Sequence, residues 1–189
     1  MRADRRRSLQ RVAGLGAAVG GLWNTRLFAA VYMDIAQAQR VLLPQAASFQ
    51  PWQPAVDADA LAAIAQATGH RVPNNFSPAG WVGLDAQGRR VGWVLADRVI
   101  GKFELIDYAA GFAADGAVTQ VEILAYRESH GAEIRNLAWR QQFAGRKGPQ
   151  QLRFNDEVRN ISGATLSCQH VTEGVQRLSA IVAAVVGNG

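Results

Sequence analysis

The sequence predicts an α+β fold, in which an antiparallel sheet has flanking helices and a long helix ends the chain. Between residues 80 and 126, short apolar runs alternate with turn sequences, a pattern typical of strands joined as hairpins. From residue 165 onward, apolar side chains recur at the three- and four-residue spacing of a helix. Strands in hairpin order with helices at both ends favour an antiparallel sheet. We divide the chain into a targeting segment (1–30), an N-terminal helical and irregular extension (31–79) and one further domain (80–189).

Charge separates residues 1–30 from the rest of the chain. This segment contains six arginines and one aspartate, whereas residues 31–189 contain equal numbers of acidic and basic side chains. The net charge of +5 therefore belongs to the N-terminus. A nucleic-acid surface requires a basic excess on the folded part of a protein, so we expect no nucleic-acid partner.

The N-terminal segment has the features of an export signal. Arg6-Arg7-Ser8-Leu9 resembles a twin-arginine signal, and it precedes an uncharged run, Val12 to Trp23, that is rich in Gly and Ala. That run is short for a membrane span, which needs about 20 residues. We predict export to the periplasm or to the periplasmic face of the inner membrane. The alternative is a basic tail that leads into an uncleaved anchor.

The extension contains two predicted helices. Asp34 to Leu43 is followed by a proline, and Asp59 to Gln66 is closed by a nearby glycine. Ser48 to Pro54 carries two prolines and is interpreted as a linker or as a segment that wraps around the domain. Residues 73–80 are predicted to be irregular.

The sheet is predicted to contain four strands, with turns at residues 85–88 and 114–116. The predicted strands are Gly80–Leu84, Val91–Asp97, Lys102–Gly111 and Val118–Tyr126. Ile134 to Phe143 is predicted to be a helix or helical turn, and Gln150 to Phe154 a short extended piece. The C-terminal helix is predicted to end near Gly187.

A small-residue turn stands directly before that helix. Gly163 permits close approach of a ligand to the backbone, Ala164 adds little bulk, and Ser162 and Thr165 offer hydroxyl groups. Thr165 should lie at or beside the helix N-terminus, where free N–H groups and the helix dipole favour a phosphate. The alternative is that the turn is only a Ser/Thr helix cap.

The segment 160–165, Asn-Ile-Ser-Gly-Ala-Thr, resembles the flavinylation motif of FMN-binding domain proteins. This family includes the flavin subunits of the sodium-pumping NADH:quinone reductase and of the Rnf complexes. Further blocks resemble the family in order, at residues 101–104, 115–122, 126–135 and 139–145. The likeness covers roughly residues 80–180. The family usually has Asp where this chain has Asn160.

The resemblance implies that FMN is held covalently by a phosphoester to Thr165. It also implies that a separate, magnesium-dependent flavin transferase makes this bond with FAD as donor. A turn that corresponds to Glu128, Ser129, His130 and Gly131 lies against the flavin in Rnf-like members. Here His130 and backbone groups could contact the ring, although His130 could equally be an exposed loop residue.

Cationic and aromatic side chains near these blocks have two interpretations. Lys102, Arg127 and Arg135 could stabilise an anionic reduced flavin or its phosphate, or they could form salt bridges with neighbouring glutamates. Trp139 and Phe143 could cover the ring or fill the core, and we favour the core for Phe143.

We therefore expect an exported flavoprotein that carries electrons through FMN, rather than a stand-alone enzyme. Its expected partners are the flavin transferase and a membrane-bound or periplasmic redox protein. The alternatives are an FMN-dependent oxidoreductase with its own small substrate and a non-catalytic exported binding module. The single cysteine, Cys168, allows no intrachain disulfide and is predicted to be a packed side chain. We predict no metal site and no catalytic residue.

Overall fold

The computed structural model describes residues 30–187, so nearly all of the predicted targeting segment lies outside the described residues. These residues form a six-stranded antiparallel sheet, several helices and a long C-terminal helix, which confirms the predicted α+β class. The strand order is β1-β6-β5-β4-β3-β2. The strands are β1 (Ala30–Val31), β2 (Ser48–Trp52), β3 (Ala79–Leu84), β4 (Arg90–Ile100), β5 (Leu105–Ala113) and β6 (Val118–Tyr126). Within residues 30–187, no helix has both the length and the apolar character that crossing a bilayer requires.

The four central strands, β3 to β6, follow each other as a meander; the two predicted turns join β3 to β4 and β5 to β6, and a bend at residues 101–104 joins β4 to β5. In the first turn, the Asp85 carboxylate accepts the N–H of Arg89 at 2.9 Å, and Gly88 has a φ of 76°. Such a left-handed conformation favours glycine. β5 begins at Leu105 and not at the predicted Lys102, because the residues before it form a bend.

The two edge strands are the main departures from the predicted elements. The predicted linker at Ser48 to Pro54 is wrong, because β2 pairs with β3 from Ser48 to Trp52. Proline has no N–H group to donate to a neighbouring strand. Pro51 is compatible with β2 because β2 lies at the edge of the sheet and pairs on one side only. The two-residue β1 was not predicted and pairs with β6 at the opposite edge.

The two predicted helices of the extension are confirmed to within two residues. α1 (Ile35–Leu42) starts with a capping box, in which the Asp34 carboxylate accepts the N–H of Gln37 at 2.7 Å. α2 (Ala58–Thr68) ends at Gly69, whose φ of 72° closes the helix in the left-handed region.

The segment between β6 and the last helix is built from short helical turns. The predicted helix at 134–143 is realised as 3₁₀ turns at Ala132–Arg135 and Gln141–Phe143 around a four-residue helix α3 (Leu137–Arg140). The predicted extended piece at Gln150 to Phe154 is wrong, because a 3₁₀ helix covers Pro149–Leu152. Pro149 opens that turn at a position where its fixed φ suits a helix.

α4 (Thr165–Gly187) begins at the predicted residue and packs across one face of the sheet. Trp93, Tyr108 and Leu178 are buried in this larger core. α1 covers the opposite face, where Leu42 packs with residues of β4 and β5 in a smaller core. The sheet is therefore covered on both sides.

Candidate functional site

A cavity of about 490 Å³ lies at the start of α4. Three separate chain segments form its walls: Lys102 and Phe103, Glu128 to His130, and Gly163 to Ser167. Six of the eight predicted site residues line it, which are Glu128, Ser129, His130, Gly163, Ala164 and Thr165. Ser162 and Gly131 are not among the lining residues.

α4 starts without a side-chain cap. Ala164 occupies the N-cap position, because its carbonyl accepts the N–H of Cys168 at 2.9 Å. Its methyl group offers no acceptor to the first turn of the helix. Among the described residues, no hydrogen bond satisfies the first three helical N–H groups, those of Thr165, Leu166 and Ser167. These N–H groups, together with the helix dipole, make this end of the cavity suitable for an anion.

The hydroxyl groups of the motif and of the first turn of α4 have different surroundings. Thr165 is exposed and lines the cavity, and the Asn160 side-chain amide donates to its Oγ1 at 3.4 Å. Ser162 is exposed but lies outside the cavity lining. Ser167 is buried, and its Oγ lies 3.1 Å from Tyr126 Oη. Of these hydroxyls, Thr165 alone is both exposed and part of the cavity wall.

Glu128 supports one wall of the cavity. Its Oε1 accepts the N–H of Phe103 at 2.6 Å and that of Glu104 at 2.9 Å. Partial burial opposes the charge, but these backbone N–H groups outweigh it and lower the pKa of Glu128 below its usual value. The carboxylate is therefore ionised at neutral pH and holds the bend that precedes β5.

The glycine of the predicted ring-facing turn contacts the protein interior. Gly131 has a φ of 88°, and a Cβ there would lie 2.6 Å from Tyr126 Oη and 3.4 Å from Ala164. Tyr126 Oη donates to the carbonyl of His130 and also contacts Ser167. Burial raises the pKa of Tyr126, so the phenol stays protonated. The backbone at Gly131 thus packs closely against Tyr126 and the start of α4, and Gly131 does not line the cavity.

The predicted cations have different roles. Arg127 forms an ion pair with Asp107 at 2.7 Å, so its salt bridge is made with an aspartate and not with one of the neighbouring glutamates. The guanidinium of Arg135 lies 3.5 Å from the centre of the Tyr32 ring. Lys102 alone of the three lines the cavity.

Trp139 and Phe143 are core residues. They are buried and meet edge to face with their ring centres 5.2 Å apart. The Trp139 indole donates to the carbonyl of Arg159 at 2.8 Å. The core interpretation is therefore confirmed for Phe143 and holds for Trp139 as well, because neither side chain lines the cavity.

Two apolar cavity residues were not predicted from the sequence. Phe103 is 72% exposed and Leu166 is 42% exposed, and both line the cavity. Phe103 stands in the bend between β4 and β5, between the charged residues Lys102 and Glu104. A large apolar residue at such a bend is the signal that could have identified it.

Cys168 is fully buried, which confirms the prediction of a packed side chain. Burial raises the pKa of its thiol to about 11. A thiol in this state is a poor nucleophile at neutral pH. In the described part of the chain, no group of three His, Cys, Asp or Glu side chains is arranged to hold a metal ion.

Residues 101–180 match the family model of the FMN-binding domain. This segment is similar to the FMN-binding domain. It contains every residue that lines the cavity at the start of α4. No curated protein shows significant similarity to the chain. The chain therefore contains the domain of a flavin-binding protein, with an open cavity at an uncapped helix N-terminus.

The residues of this cavity fit FMN. The uncapped N–H groups of α4 suit the phosphate, and Lys102 adds a positive charge to the same cavity. Phe103 and Leu166 supply the apolar surface that a flavin ring requires. The FMN-binding domain thus combines a phosphate end and an apolar wall in one cavity.

Proposed function

We propose that this protein carries FMN as a phosphoester on Thr165 and passes electrons through it. The observation that supports the proposal is the position of Thr165. Its hydroxyl is exposed, lines the cavity and lies at the uncapped start of α4, within the matched domain. Bound FMN supplies one- and two-electron redox chemistry.

The protein's own residues bind and orient the cofactor. In transfer from an FAD donor, the Thr165 hydroxyl would supply the oxygen of the new O–P bond, AMP would leave as the old O–P bond broke, and the hydroxyl proton would be released. The first-turn N–H groups of α4 would hold the phosphate oxygens. Glu128 keeps Phe103 in the wall of the cavity through the backbone bond at 2.6 Å.

Denaturing mass spectrometry after co-expression with a flavin transferase tests the attachment. Thr165→Ala should fold and carry no FMN increment, because the exposed hydroxyl is the acceptor and makes only the weak 3.4 Å contact with Asn160. Thr165→Ser keeps the oxygen and should retain at least part of the increment. An increment that persists in Thr165→Ala would move the attachment site and contradict the proposal.

Ser162→Ala is the matched control for that experiment. Ser162 is exposed, belongs to the same turn and lies outside the cavity lining, so its loss should leave the increment intact. Ser167→Ala should also keep it, since the buried Ser167 hydroxyl is engaged by Tyr126. If wild-type protein shows no increment, Asn160→Asp should restore it, because a carboxylate accepts a hydrogen bond where the Asn160 amide now donates.

The proposal extends to location and partners. The protein is exported through its Arg6-Arg7 segment to the periplasm or the periplasmic face of the inner membrane. There a flavin transferase matures it, and a membrane-bound or periplasmic redox protein exchanges electrons with it. The exposed Phe103 and Leu166 beside the cavity are suitable surface for such a contact.

A further inference from the structure

A second cavity, of about 580 Å³, lies between the segment 73–79 and the ends of strands β4 to β6. Met33, Phe76 and Leu124 give part of its wall an apolar character. A smaller cavity of about 240 Å³ adjoins it and shares Arg98 and Arg177 with it. Neither cavity includes a residue that lines the FMN cavity.

Arg177 on α4 is a buried charge without adequate compensation. Its side chain is 8% exposed, and its closest carboxylate oxygen, Asp97 Oδ2, is 3.9 Å away. Among the described residues, its guanidinium makes no hydrogen bond, and its Nε is buried without a partner. A guanidinium has five N–H donors, and buried charges in proteins are normally paired and hydrogen-bonded. Within the described residues, Arg177 therefore has one distant carboxylate, that of Asp97, and no hydrogen-bond acceptor.

Asp97 compensates Arg177 only weakly. Its Oδ2 is already engaged by the Tyr108 hydroxyl, which donates to it at 3.1 Å. Burial raises the pKa of Asp97, although the nearby Arg177 and Arg98 act in the opposite direction. The Phe76 ring, 5.5 Å from the Arg177 guanidinium, adds only a cation–π contact.

Three further guanidinium groups line the joined cavities, those of Arg71, Arg98 and Arg127. The Arg98 side chain is 66% exposed and lies 3.4 Å from Asp107, whose other oxygen is held by Arg127 at 2.7 Å. Arg71 lines the smaller cavity and forms no ion pair within the described range. The smaller cavity is also lined by Glu173, whose carboxylate accepts a hydrogen bond from the Gln169 side-chain amide at 2.8 Å. The joined cavities are therefore lined by four guanidinium groups and three carboxylates.

We propose that the joined cavities bind a small organic carboxylate. Its carboxylate group pairs with the fork of Arg177 and is supported by Arg98 and Arg71, since guanidinium donors match carboxylate geometry. Its apolar body lies in the larger cavity against Phe76 and Leu124. A partly apolar cavity with a few convergent polar groups is typical of small-molecule sites.

Calorimetric titration of the full chain with benzoate and with its neutral isostere benzamide tests this site. Wild-type protein should bind benzoate saturably. It should bind benzamide at least tenfold more weakly, because only the carboxylate of benzoate is an anionic hydrogen-bond partner for Arg177. Arg177→Met should lose at least tenfold in benzoate affinity. Arg153→Met is the control, since Arg153 pairs with Glu157 at 2.7 Å and lines neither cavity; it should bind benzoate like wild type.

Thermal unfolding gives an independent measurement. Without ligand, Arg177→Met should be less stable than wild type, because it leaves the buried Asp97 without its partner at 3.9 Å. Benzoate should raise the Tm of wild type and leave that of Arg177→Met unchanged. The more exposed Arg98→Gln should fold in any case and weaken benzoate binding three- to tenfold.

Three results would overturn the proposal. They are no benzoate binding to wild type, equal binding of benzamide, or wild-type benzoate affinity in folded Arg177→Met. Thr165→Ala should bind benzoate like wild type, because the two cavities share no residue with the FMN cavity. The outcome for this site is therefore independent of the FMN attachment.

Discussion

Thr165 differs from its neighbouring hydroxyl residues in what surrounds its oxygen. Ser167 lies two positions further along the helix, on the side that meets the core, and its hydroxyl is held by Tyr126. Thr165 is instead exposed and lines the cavity, and among the described residues only the Asn160 amide donates a hydrogen bond to its hydroxyl, at 3.4 Å. At the residue scale, a shift of two positions along one helix thus separates a buried structural hydroxyl from the proposed FMN acceptor.

Gly131→Ala is expected to destabilise the protein. Its φ of 88° is unfavourable for any residue with a Cβ, and that Cβ would lie 2.6 Å from Tyr126 Oη. Backbone strain and overpacking together should lower the free energy of unfolding by about 2–4 kcal/mol, measured by urea denaturation.

Gly145→Ala is the matched control for Gly131. Gly145 also has a left-handed φ, of 78°, but a Cβ at this position would meet no atom within 4 Å. Its substitution should cost only the backbone strain, about 1 kcal/mol. Equal losses of stability in the two variants would mean that the turn does not pack tightly against Tyr126.

At the scale of the element, α4 connects the FMN cavity with the main core. Its first turn lines the cavity, while its middle packs on the sheet at Gly174, against the phenol end of Tyr108. A Cβ at Gly174 would lie 2.8 Å from Tyr108 Cζ. The missing side chain is what allows the helix to approach β5 so closely.

Gly174→Ala should therefore lower the free energy of unfolding, whereas a Gly→Ala change inside a helix usually raises it. Inside a helix the change normally stabilises by about 1 kcal/mol. Here overpacking against the buried Tyr108 should cost about 1–3 kcal/mol, so that the free energy of unfolding falls. Urea denaturation of the variant measures the net effect.

A double-mutant cycle identifies the cause of that loss. Tyr108→Phe removes the phenol oxygen that a Cβ at Gly174 would meet, so Gly174→Ala should cost less in that background. Gly187→Ala serves as control on the same helix, because its Cβ would meet nothing within 4 Å. An equal cost of Gly174→Ala in both backgrounds would exclude the contact with Tyr108 as the reason.

At the scale of the whole molecule, charge is distributed unequally along the chain. The net charge of +5 lies in residues 1–30, whereas the rest of the chain is balanced. This division fits an N-terminal signal that precedes a domain with its own core on each face of the sheet.

Replacement of both Arg6 and Arg7 by Lys is expected to retain the precursor in the cytoplasm. The twin-arginine route recognises the arginine pair itself, so lysines keep the charge and lose the signal. Fractionation of cells that express the variant measures the distribution. Unchanged export of the double-lysine variant would exclude this route and leave the general secretory one.

The sequence by itself determined the features that depend on neighbouring residues. The hairpin turns, both extension helices and the start of α4 at Thr165 could be predicted because caps, glycines and apolar periodicity act within a few positions. For the same reason, the Ser-Gly-Ala-Thr turn could be recognised before its surroundings were known. The family match over residues 101–180 agrees with that interpretation.

Only the tertiary structure decided the features that join distant segments. β2 at Ser48–Trp52 is a strand because β3 pairs with it, although its prolines suggest a linker when the segment is considered alone. Glu128 holds a bend more than twenty residues before it, and Arg177 meets Asp97 across eighty positions of chain. Such contacts depend on how the whole core packs. Local sequence patterns therefore do not predict them.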